Sequence, residues 1–336
     1  MRLIYKNKIT KQKFYIKMEI IQKELITEII NEIDLVSEIE QGFIAYSNGE
    51  SVVPPIGELV FDQPPGDVHI KYGYIFGDSF YVIKIASGFW ENEKYGIPNG
   101  QGMMLLFNRR TGQPEALLLD DASLTDIRTA IAGQICVSKF SNEINRIGVL
   151  GTGVQARLQV EYLKGITQSR EVVVWGRNAR KMNDYKSDMS EQGFEVTIGN
   201  SPRDVASKCN LLITATASRE YLLSKNDILE GTHINAVGSD TVGKRELGPG
   251  IIKNADIVIA DSIVQCQERG EIACAIKDGD MATKNIFELG DVLSGKVQGR
   301  ELGSQITVCD LTGISVQDIK IATAVFNRYT EKKNEI

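Results

Sequence analysis

The sequence predicts an α/β protein of two domains, a doubly wound parallel sheet and a smaller domain of α+β type. Its 336 residues are about twice the length of an average domain. From Arg146 onwards, short apolar strands alternate with helical segments, which is typical of a parallel sheet with helices on both faces. Between Val52 and Leu119, extended segments are separated by turn residues at hairpin spacing, which is typical of an antiparallel or mixed sheet.

Composition excludes several classes of protein. Hydrophobic residues make up 42% and charged residues 24%, with a net charge of −6, so we expect neither disorder nor nucleic-acid binding. The apolar runs are too short to cross a bilayer. Five scattered cysteines and two histidines form neither a disulfide framework nor a zinc pattern. We therefore expect free thiols, no metal, no membrane partner and a cytoplasmic location.

The smaller domain is predicted over 18–128, completed by a C-terminal helix over 314–336. Residues 1–17 carry six basic side chains and no acid; they either precede a natural start at Met18 or form a peripheral arm. Apolar residues at helical spacing predict two short helices between Met18 and Asn48. A third helix is predicted from Thr125 to Phe140. The predicted strands are Glu58–Phe61, Asp67–Tyr74, Phe80–Ile85, Gly102–Phe107 and Glu115–Leu119.

The larger domain is predicted over 129–313. Helices Gln155–Ile166 and Asn178–Met189 connect its first strands, and a final helix, Ser315–Tyr329, returns to the smaller domain. The predicted strands are Ile147–Leu150, Glu171–Trp175, Phe194–Ile198, Leu211–Thr216, His233–Val237, Asp256–Ala260 and Gln305–Asp310.

The first strand of the larger domain runs into a glycine motif, Gly151-Thr152-Gly153-Val154-Gln155-Ala156, and a helix follows at once. In this pattern Gly151 permits a tight turn, Gly153 lets the backbone approach a pyrophosphate, and Ala156 lets helix and strand pack closely. Free amides at the helix N-terminus favour anions. A second strand follows about 20 residues on, as the dinucleotide fingerprint requires. The motif therefore predicts a Rossmann-type domain that binds NAD(P).

The end of the second strand bears on the choice of cofactor. NAD enzymes commonly place Asp or Glu there, on the ribose 2′-hydroxyl. Here the segment Val173–Asn178 contains no acid but contains Arg177, which could pair with a 2′-phosphate. Although Arg177 could equally be a solvated surface residue, the segment favours NADP(H) over NAD(H).

Several further segments occur in a fixed order along the chain. They are Lys84 ahead of Gly88-Phe89, Leu124–Ala130 (LTDIRTA), the glycine motif, Val237–Asp240 (VGSD), Gly243–Leu247, Arg269-Gly270-Glu271, Asp310–Gly313 (DLTG) and Gln317-Asp318. Together, from Met18 to Tyr329, they resemble the ornithine cyclodeaminase/mu-crystallin family. The resemblance implies a homodimer whose chains have a substrate-binding and dimerisation domain and a nicotinamide-binding domain. It also implies hydride exchange at the α-carbon of an amino or imino acid.

The resemblance implies roles for particular residues. Lys84 and Arg128 match the family's carboxylate-binding cations, and a guanidinium fork with an ammonium charge suits a carboxylate. Asp240 follows a strand at the carboxyl edge of the predicted sheet and matches the family's acidic residue, which could bind the substrate amine or accept its proton. We therefore expect Asp240 and Lys84 to be catalytic. A surface lysine, a structural ion pair and a turn-forming aspartate are the ordinary alternatives. Lys244 and Glu246 are expected to pair locally at a helix start.

Further cofactor contacts are expected at the carboxyl ends of the strands. For the threonines among them, the alternative is that their hydroxyls bind loop amides at the strand ends and do not contact a cofactor. The expected residues are Thr214, Thr216, Val237, Gly238, Leu311, Thr312 and Gly313.

One segment departs from the family's cyclodeaminases, which place an arginine after a proline in the stretch matching Val53–Gly57. Here that stretch has no arginine, and Lys71 is a plausible replacement. The pattern is closer to the ectoine-utilisation and iminosuccinate-reductase branch. The leading interpretation is thus an NAD(P)-dependent oxidoreductase of amino or imino acids. An ornithine cyclodeaminase with catalytic NAD and a mu-crystallin-like binder of small ligands stay open as alternatives.

Overall fold

The computed structural model describes residues 18–280 and 286–335, together with the backbone of two short paired strands, β1 (Leu3–Ile4) and β2 (Tyr15–Ile16). The rest of the basic N-terminal segment lies outside the described residues. The chain forms two compact units. Unit 1 comprises Met1–Arg128 and Ser315–Ile336, and unit 2 comprises Thr129–Ile314.

Unit 1 contains a mixed sheet, as its alternating segments predicted. Its strands are β3 (Glu19–Gln22), β4 (Ser51–Val52), β5 (Gly57–Asp62), β6 (Pro65–Ile75), β7 (Phe80–Phe89), β8 (Gly100–Asn108) and β9 (Pro114–Leu119). The strand order is β3-β9-β8-β7-β6-β4, and β5 pairs with β6. The β3–β9 pair is parallel and the other pairs are antiparallel.

The start of unit 1 differs from the prediction. We expected a helix from Met18, but β3 comes first and pairs with β9. The helices α1 (Lys23–Ile30) and α2 (Leu35–Ser47) then follow. The adjacent β-branched residues Ile20 and Ile21 fit a strand as well as a helix, and Ile21 is buried against the core.

In its described residues, unit 2 contains a parallel sheet of eight strands. They are β10 (Ile147–Leu150), β11 (Glu171–Trp175), β12 (Glu195–Ile198), β13 (Leu211–Thr214), β14 (His233–Ala236), β15 (Ile257–Ala260), β16 (Ile286–Glu288) and β17 (Thr307–Asp310). Five of them are buried at every residue, because helices cover both faces of such a sheet. The strand order is β12-β11-β10-β13-β14-β17-β15-β16.

That order creates a switch point at β10 and β13. The chain moves outward from β10 through β11 to β12, then returns to place β13 on the other side of β10. Doubly wound sheets bind ligands in the crevice beyond the carboxyl ends of such strands. The glycine motif follows β10 directly, so it lies at this crevice.

The helices follow the predicted order with some changes in length. After α3 (Ser123–Phe140), unit 2 contains α4 (Val154–Glu161), α5 (Ala179–Glu191), α6 (Pro202–Ala206), α7 (Ile251–Asn254), α8 (Ile263–Cys266), α9 (Gly270–Lys277) and α10 (Leu289–Leu293). The predicted helix Gln155–Ile166 ends early, in a 3₁₀ turn at Tyr162–Gly165. The last helix, α11 (Ser315–Glu335), belongs to unit 1 and packs on α2 and β6.

Two further findings concern the thiols and the helices. All five cysteines are free, as expected, and four are buried. In the part of the chain that the structure describes, no helix combines the length and apolarity needed to cross a membrane.

Candidate active site

The glycine turn of unit 2 has the shape that a dinucleotide needs. Gly151 has φ +126°, and a Cβ there would lie 2.4 Å from the carbonyl oxygen of Ala215, so only glycine fits without strain. A Cβ on Gly153 would meet no atom within 4 Å, because that residue faces open space. Gly153 is the N-cap of α4 and has no side chain that could accept from the first amides of that helix. The amides at a helix N-terminus favour anions such as phosphate.

The crevice beyond the turn has a volume of about 590 Å³. Among the predicted cofactor residues, Gly151, Thr152, Gly153, Arg177 and Thr216 line it. Asn178, Lys181 and Ser218 also line it, and none of its described lining residues is acidic. Arg177 and Lys181 thus give the described lining of this crevice two cations and no carboxylate.

The other predicted cofactor residues lie around the same edge of the sheet. Val154 and Gln155 are in the first turn of α4, where Ala156 packs with no exposed surface. Thr214 is fully buried at the end of β13. Val237 and Gly238 follow β14, and Leu311, Thr312 and Gly313 follow β17, all at the carboxyl edge. Their contacts with a cofactor stay a prediction.

A buried carboxylate holds two of these loops together. One oxygen of Glu246 accepts from the amide and the hydroxyl of Thr216, both at 2.7 Å, and the other accepts from the amide of Gly238 at 3.0 Å. Glu271 in turn accepts from the amides of Glu246 and Leu247. Full burial raises the pKa of Glu246 to about 7, against the effect of these hydrogen bonds. Glu246 thus positions the loops after β13 and β14.

This placement corrects one prediction. Lys244 and Glu246 do not pair, and no helix begins there, because residues 240–246 form turns and irregular structure. The Lys244 Nζ instead lies 2.6 Å from Asp240 Oδ1, while Glu246 binds backbone amides. The side chain of Asp240 is 43% exposed, so its carboxylate remains accessible to a substrate.

Unit 1 contains a second group of predicted residues around a buried carboxylate. Lys84 Nζ lies 2.9 Å from Asp318 Oδ2, and Arg128 Nε lies 3.1 Å from Asp318 Oδ1. Arg128 also donates to the side-chain oxygen of Gln317 at 3.1 Å. Lys71 lies directly opposite Lys84 in the β6–β7 register. The three predicted substrate-binding cations thus share one buried region with Asp318.

The electrostatics of this cluster follow from its burial. Burial lowers the pKa of Lys84 to about 8, although Asp318 opposes the shift. Burial alone would raise the pKa of Asp318, but the charges of Lys84, Arg128 and Lys71 outweigh it and hold the pKa below its usual value. Burial also raises the pKa of nearby Asp120 to about 6. At pH 7 the three cations outnumber the two carboxylates by one charge.

The comparisons with known proteins agree with this architecture. The model of the ornithine cyclodeaminase/mu-crystallin family matches residues 17–333. The chain belongs to this family. A protein of Sinorhizobium fredii, named an uncharacterized cyclodeaminase, is 36% identical over 320 residues, which cover 94% of this chain and 97% of that protein.

Two solved structures of the family's fold extend the comparison. An archaeal alanine dehydrogenase dimer with bound NAD is 28% identical, with a TM-score of 0.85, and the match covers 94% of this chain and 97% of that one. The Δ1-pyrroline-2-carboxylate reductase of Thermococcus litoralis, in complex with NADH and L-proline, is 25% identical, with a TM-score of 0.86. That match covers 94% of this chain and 98% of the other. The Rossmann-type fold is therefore confirmed.

Sequence reasoning missed several residues that organise the site. Asp318 was part of the family resemblance, but no role was inferred for it, and its ion pair with Lys84 spans 234 positions. Lys181 lies in the first turn of α5, which begins two residues after Arg177, and both side chains line the crevice. Arg157 donates to the carbonyl oxygens of Thr152 and Gly153 and braces the glycine turn. No local pattern marks this last contact.

Proposed function

We propose that this protein is an NAD(P)-dependent oxidoreductase that exchanges a hydride with the α-carbon of an amino or imino acid. The observation that carries the proposal is the buried cluster of Lys71, Lys84 and Arg128 around Asp318. Such a cluster, with an excess of positive charge, suits a small carboxylate. The dinucleotide crevice of unit 2 supports the redox part of the proposal.

The substrate carboxylate would complete the charge balance of unit 1. Lys84 and Arg128 supply an ammonium and a guanidinium, and Asp318 holds both in place. The side-chain nitrogen of Gln317 and Oδ1 of Asp120 are buried and have no hydrogen-bond partner among the described residues. Buried polar atoms normally have partners, so these two atoms support a polar ligand in this region.

The remaining chemistry belongs to unit 2. A bound nicotinamide would supply or accept the hydride. Asp240 would bind the substrate nitrogen or move its proton, because its carboxylate is accessible and Lys244 compensates its charge. Gly151 and Gly153 shape the phosphate site, and Glu246 keeps the adjoining loops in position.

Reduction of an imino acid is the direction we favour. Lys71 in β6 provides a cation in a chain that lacks the cyclodeaminases' arginine, and a third cation suits a polar or dicarboxylic imino acid. A pyrroline-carboxylate reductase among the solved relatives supports the same reaction class.

A panel assay tests the proposal. Purified protein is mixed with NADPH or NADH and with Δ1-pyrroline-2-carboxylate, piperideine-2-carboxylate, or pyruvate or oxaloacetate with ammonia. We expect oxidation of reduced cofactor in a one-to-one ratio with amino-acid product for at least one member. Asp240→Asn should abolish this turnover, whereas Asp184→Asn, on an aspartate of α5 whose side chain is 57% exposed, should retain it. If no member of the panel causes oxidation of NADPH or NADH, the reductase proposal is contradicted.

A cyclodeaminase is the second candidate, favoured by the 36% identical relative of that name. Such an enzyme would convert ornithine to proline and ammonia with no net change in cofactor. The same preparation separates the two reactions, because ammonia release without net cofactor oxidation assigns the cyclodeaminase.

Three finer points belong to the same proposal. We propose NADP(H) as the preferred cofactor because Arg177 and Lys181 line the crevice without an acid beside them. We propose a homodimer because β5 exposes apolar side chains along an edge of the sheet. We propose a cytoplasmic location because the five thiols are free.

A further inference from the structure

Unit 2 has a second cavity, separate from the dinucleotide crevice. Its volume is about 460 Å³, and it is formed by residues 242–245, the turn before α9 and one face of α9. It shares no lining residue with the crevice. Its volume lies within the range of about 300–1,000 Å³ that is typical of small-molecule sites.

The lining of this cavity is strongly basic. Its charged residues are Arg219, Lys244, Arg245, Arg269 and Lys277, with Glu268 and Asp278 as the acids. Asp278 is already paired with Arg245. Lys244 is paired with Asp240 outside the lining, so an excess of two positive charges remains; it attracts anions, and low-dielectric walls strengthen that attraction.

Arg269 is the feature that points to a ligand. It is 7% exposed and lines the cavity, yet its Nε has no hydrogen-bond partner among the described residues. The ion pairs at this cavity join Arg245 to Asp278 and Lys244 to Asp240, and neither of them includes Arg269. Burying a charge without a partner is costly, and a guanidinium is well shaped for a carboxylate or a phosphate.

We propose that this cavity binds a small organic anion with at least two negative charges, a phosphate ester or a polycarboxylate. Arg269 forms the buried anchor, and Lys277 and Arg219 approach the anion from the exposed side. Two charged groups on the ligand match the excess of cations better than a single carboxylate does. The site does not depend on the proposed reaction.

Lys244 connects the cavity to Asp240. It lines the cavity and lies 2.6 Å from Asp240 Oδ1. An anion in the cavity competes for the ammonium of Lys244 and leaves the charge of Asp240 less compensated. This coupling, which rests on the proposed function, makes the occupied cavity a means of altering the rate.

Titration calorimetry with citrate and with inorganic pyrophosphate tests the site, each at saturating NADPH so that the dinucleotide crevice is already filled. We expect one anion to bind per chain. Arg269→Gln should weaken binding by at least about tenfold. Arg180→Gln, a control whose side chain is 91% exposed on α5, should bind like the parent. Preference for pyrophosphate assigns a phosphate ester, and preference for citrate assigns a polycarboxylate.

A second variant covers the case in which Arg269→Gln does not fold. Lys277 is exposed at the rim, so Lys277→Gln should fold normally and weaken binding by about threefold. The proposal is overturned by parental affinity in both variants or, at saturating NADPH, by the absence of saturable heat with either anion.

Discussion

At the scale of single residues, the proposed chemistry depends on a lysine that stays charged in a buried site. Burial lowers the pKa of Lys84 to about 8, and Asp318 favours its charged form from 2.9 Å away. At pH 7 most of the population carries the ammonium that a carboxylate would bind. A modest rise in pH therefore removes a binding charge while the side chain stays in place.

We predict that carboxylate binding weakens above pH 8. L-Lactate carries a carboxylate and no group that titrates between about pH 6 and 10, so its inhibition constant reports on the protein. As pH rises through about 8, Lys84 loses its proton and the inhibition constant should rise severalfold. Although binding weakens over this range, the free energy of unfolding should increase. Between about 8 and 10.5 the unfolded chain binds more protons, so stability increases with pH.

Lys84→Arg provides the control, because a guanidinium stays charged throughout this range. The variant should bind lactate with no rise in the inhibition constant near pH 8. Lys94→Gln, on an exposed surface lysine, should keep the parental profile. An inhibition constant independent of pH in the parent would contradict the role of Lys84.

We predict that the choice between NADPH and NADH depends on Arg177. Arg177→Ala should reduce kcat/KM with NADPH by about tenfold and change it little with NADH, because the lost charge meets only a 2′-phosphate. Arg180→Ala is the matched control, since Arg180 lies outside the crevice. Initial rates with both cofactors give the comparison, and a strong NADH preference in the parent would refute the assignment.

The structure adds Asp318 to the two cations that the sequence predicted, because Asp318 contacts both Lys84 and Arg128. Lys84 and Arg128 were predicted from the resemblance, and the charge type of each indicated a carboxylate. Asp318 received no role, because its distance along the chain from Lys84 hides the pair from any local pattern. Buried polar networks of this kind depend on tertiary structure.

At the scale of elements, the glycine turn separates folding from ligand binding. Gly151 needs its left-handed backbone and would clash with Ala215 if it carried a Cβ. Gly153 has an ordinary backbone conformation, with φ −85° and ψ −169°, and faces open space. Gly151 is thus needed for the backbone conformation of the turn, and Gly153 leaves room for a phosphate to approach the backbone.

We predict different outcomes for the two alanine variants. Gly153→Ala should leave the free energy of unfolding within about 0.5 kcal/mol of the parent and weaken NADPH binding by at least about tenfold. Gly151→Ala should lose about 1–3 kcal/mol of stability as well. Urea unfolding and fluorescence titration with NADPH measure the two effects. Parental NADPH affinity in Gly153→Ala would exclude this turn as the phosphate site.

Helices and strands are predictable from the sequence where a regular hydrophobic pattern extends over many residues. The strands and the first helices of unit 2 follow the predicted alternation, because apolar runs bounded by turn residues are distinctive. Short segments are harder to predict: the pattern from Met18 predicts a helix where β3 lies, and Lys244 and Glu246 are expected at a helix start that does not form. In both places tertiary partners, β9 and the loop amides, decide the conformation.

At the scale of the whole molecule, β5 has the properties of an interface. It pairs with β6 alone among the described strands, and every residue from Glu58 to Asp62 is exposed. Leu59 is 54%, Val60 70% and Phe61 40% exposed. An exposed apolar edge strand invites pairing with another chain.

We predict that Val60→Asp converts a dimer to a monomer, because a carboxylate would be buried in the interface without a partner. Light scattering after gel filtration should give twice the 37.2 kDa chain mass for the parent. Val264→Asp is the control, since Val264 is 65% exposed but lies in unit 2. A monomeric parent, or a dimeric Val60→Asp variant, would contradict the prediction.

The topology shows what sequence patterns leave undetermined at this scale. Alternation predicted a parallel sheet, yet it could not place β17 between β14 and β15. Strand order depends on how distant segments pack. The glycine motif after the first strand of unit 2 lines the crevice at the switch point, which forms where the chain reverses direction.

Transfer of deuterium from the reduced cofactor tests the central claim most directly. The protein is incubated with NADPH deuterated at the nicotinamide C4 and with the best imino acid of the panel, and the product is analysed by mass spectrometry and proton NMR. The proposed reaction predicts one deuterium at the α-carbon of the amino acid for each cofactor oxidised. Cofactor oxidation that leaves the α-carbon unlabelled would contradict it.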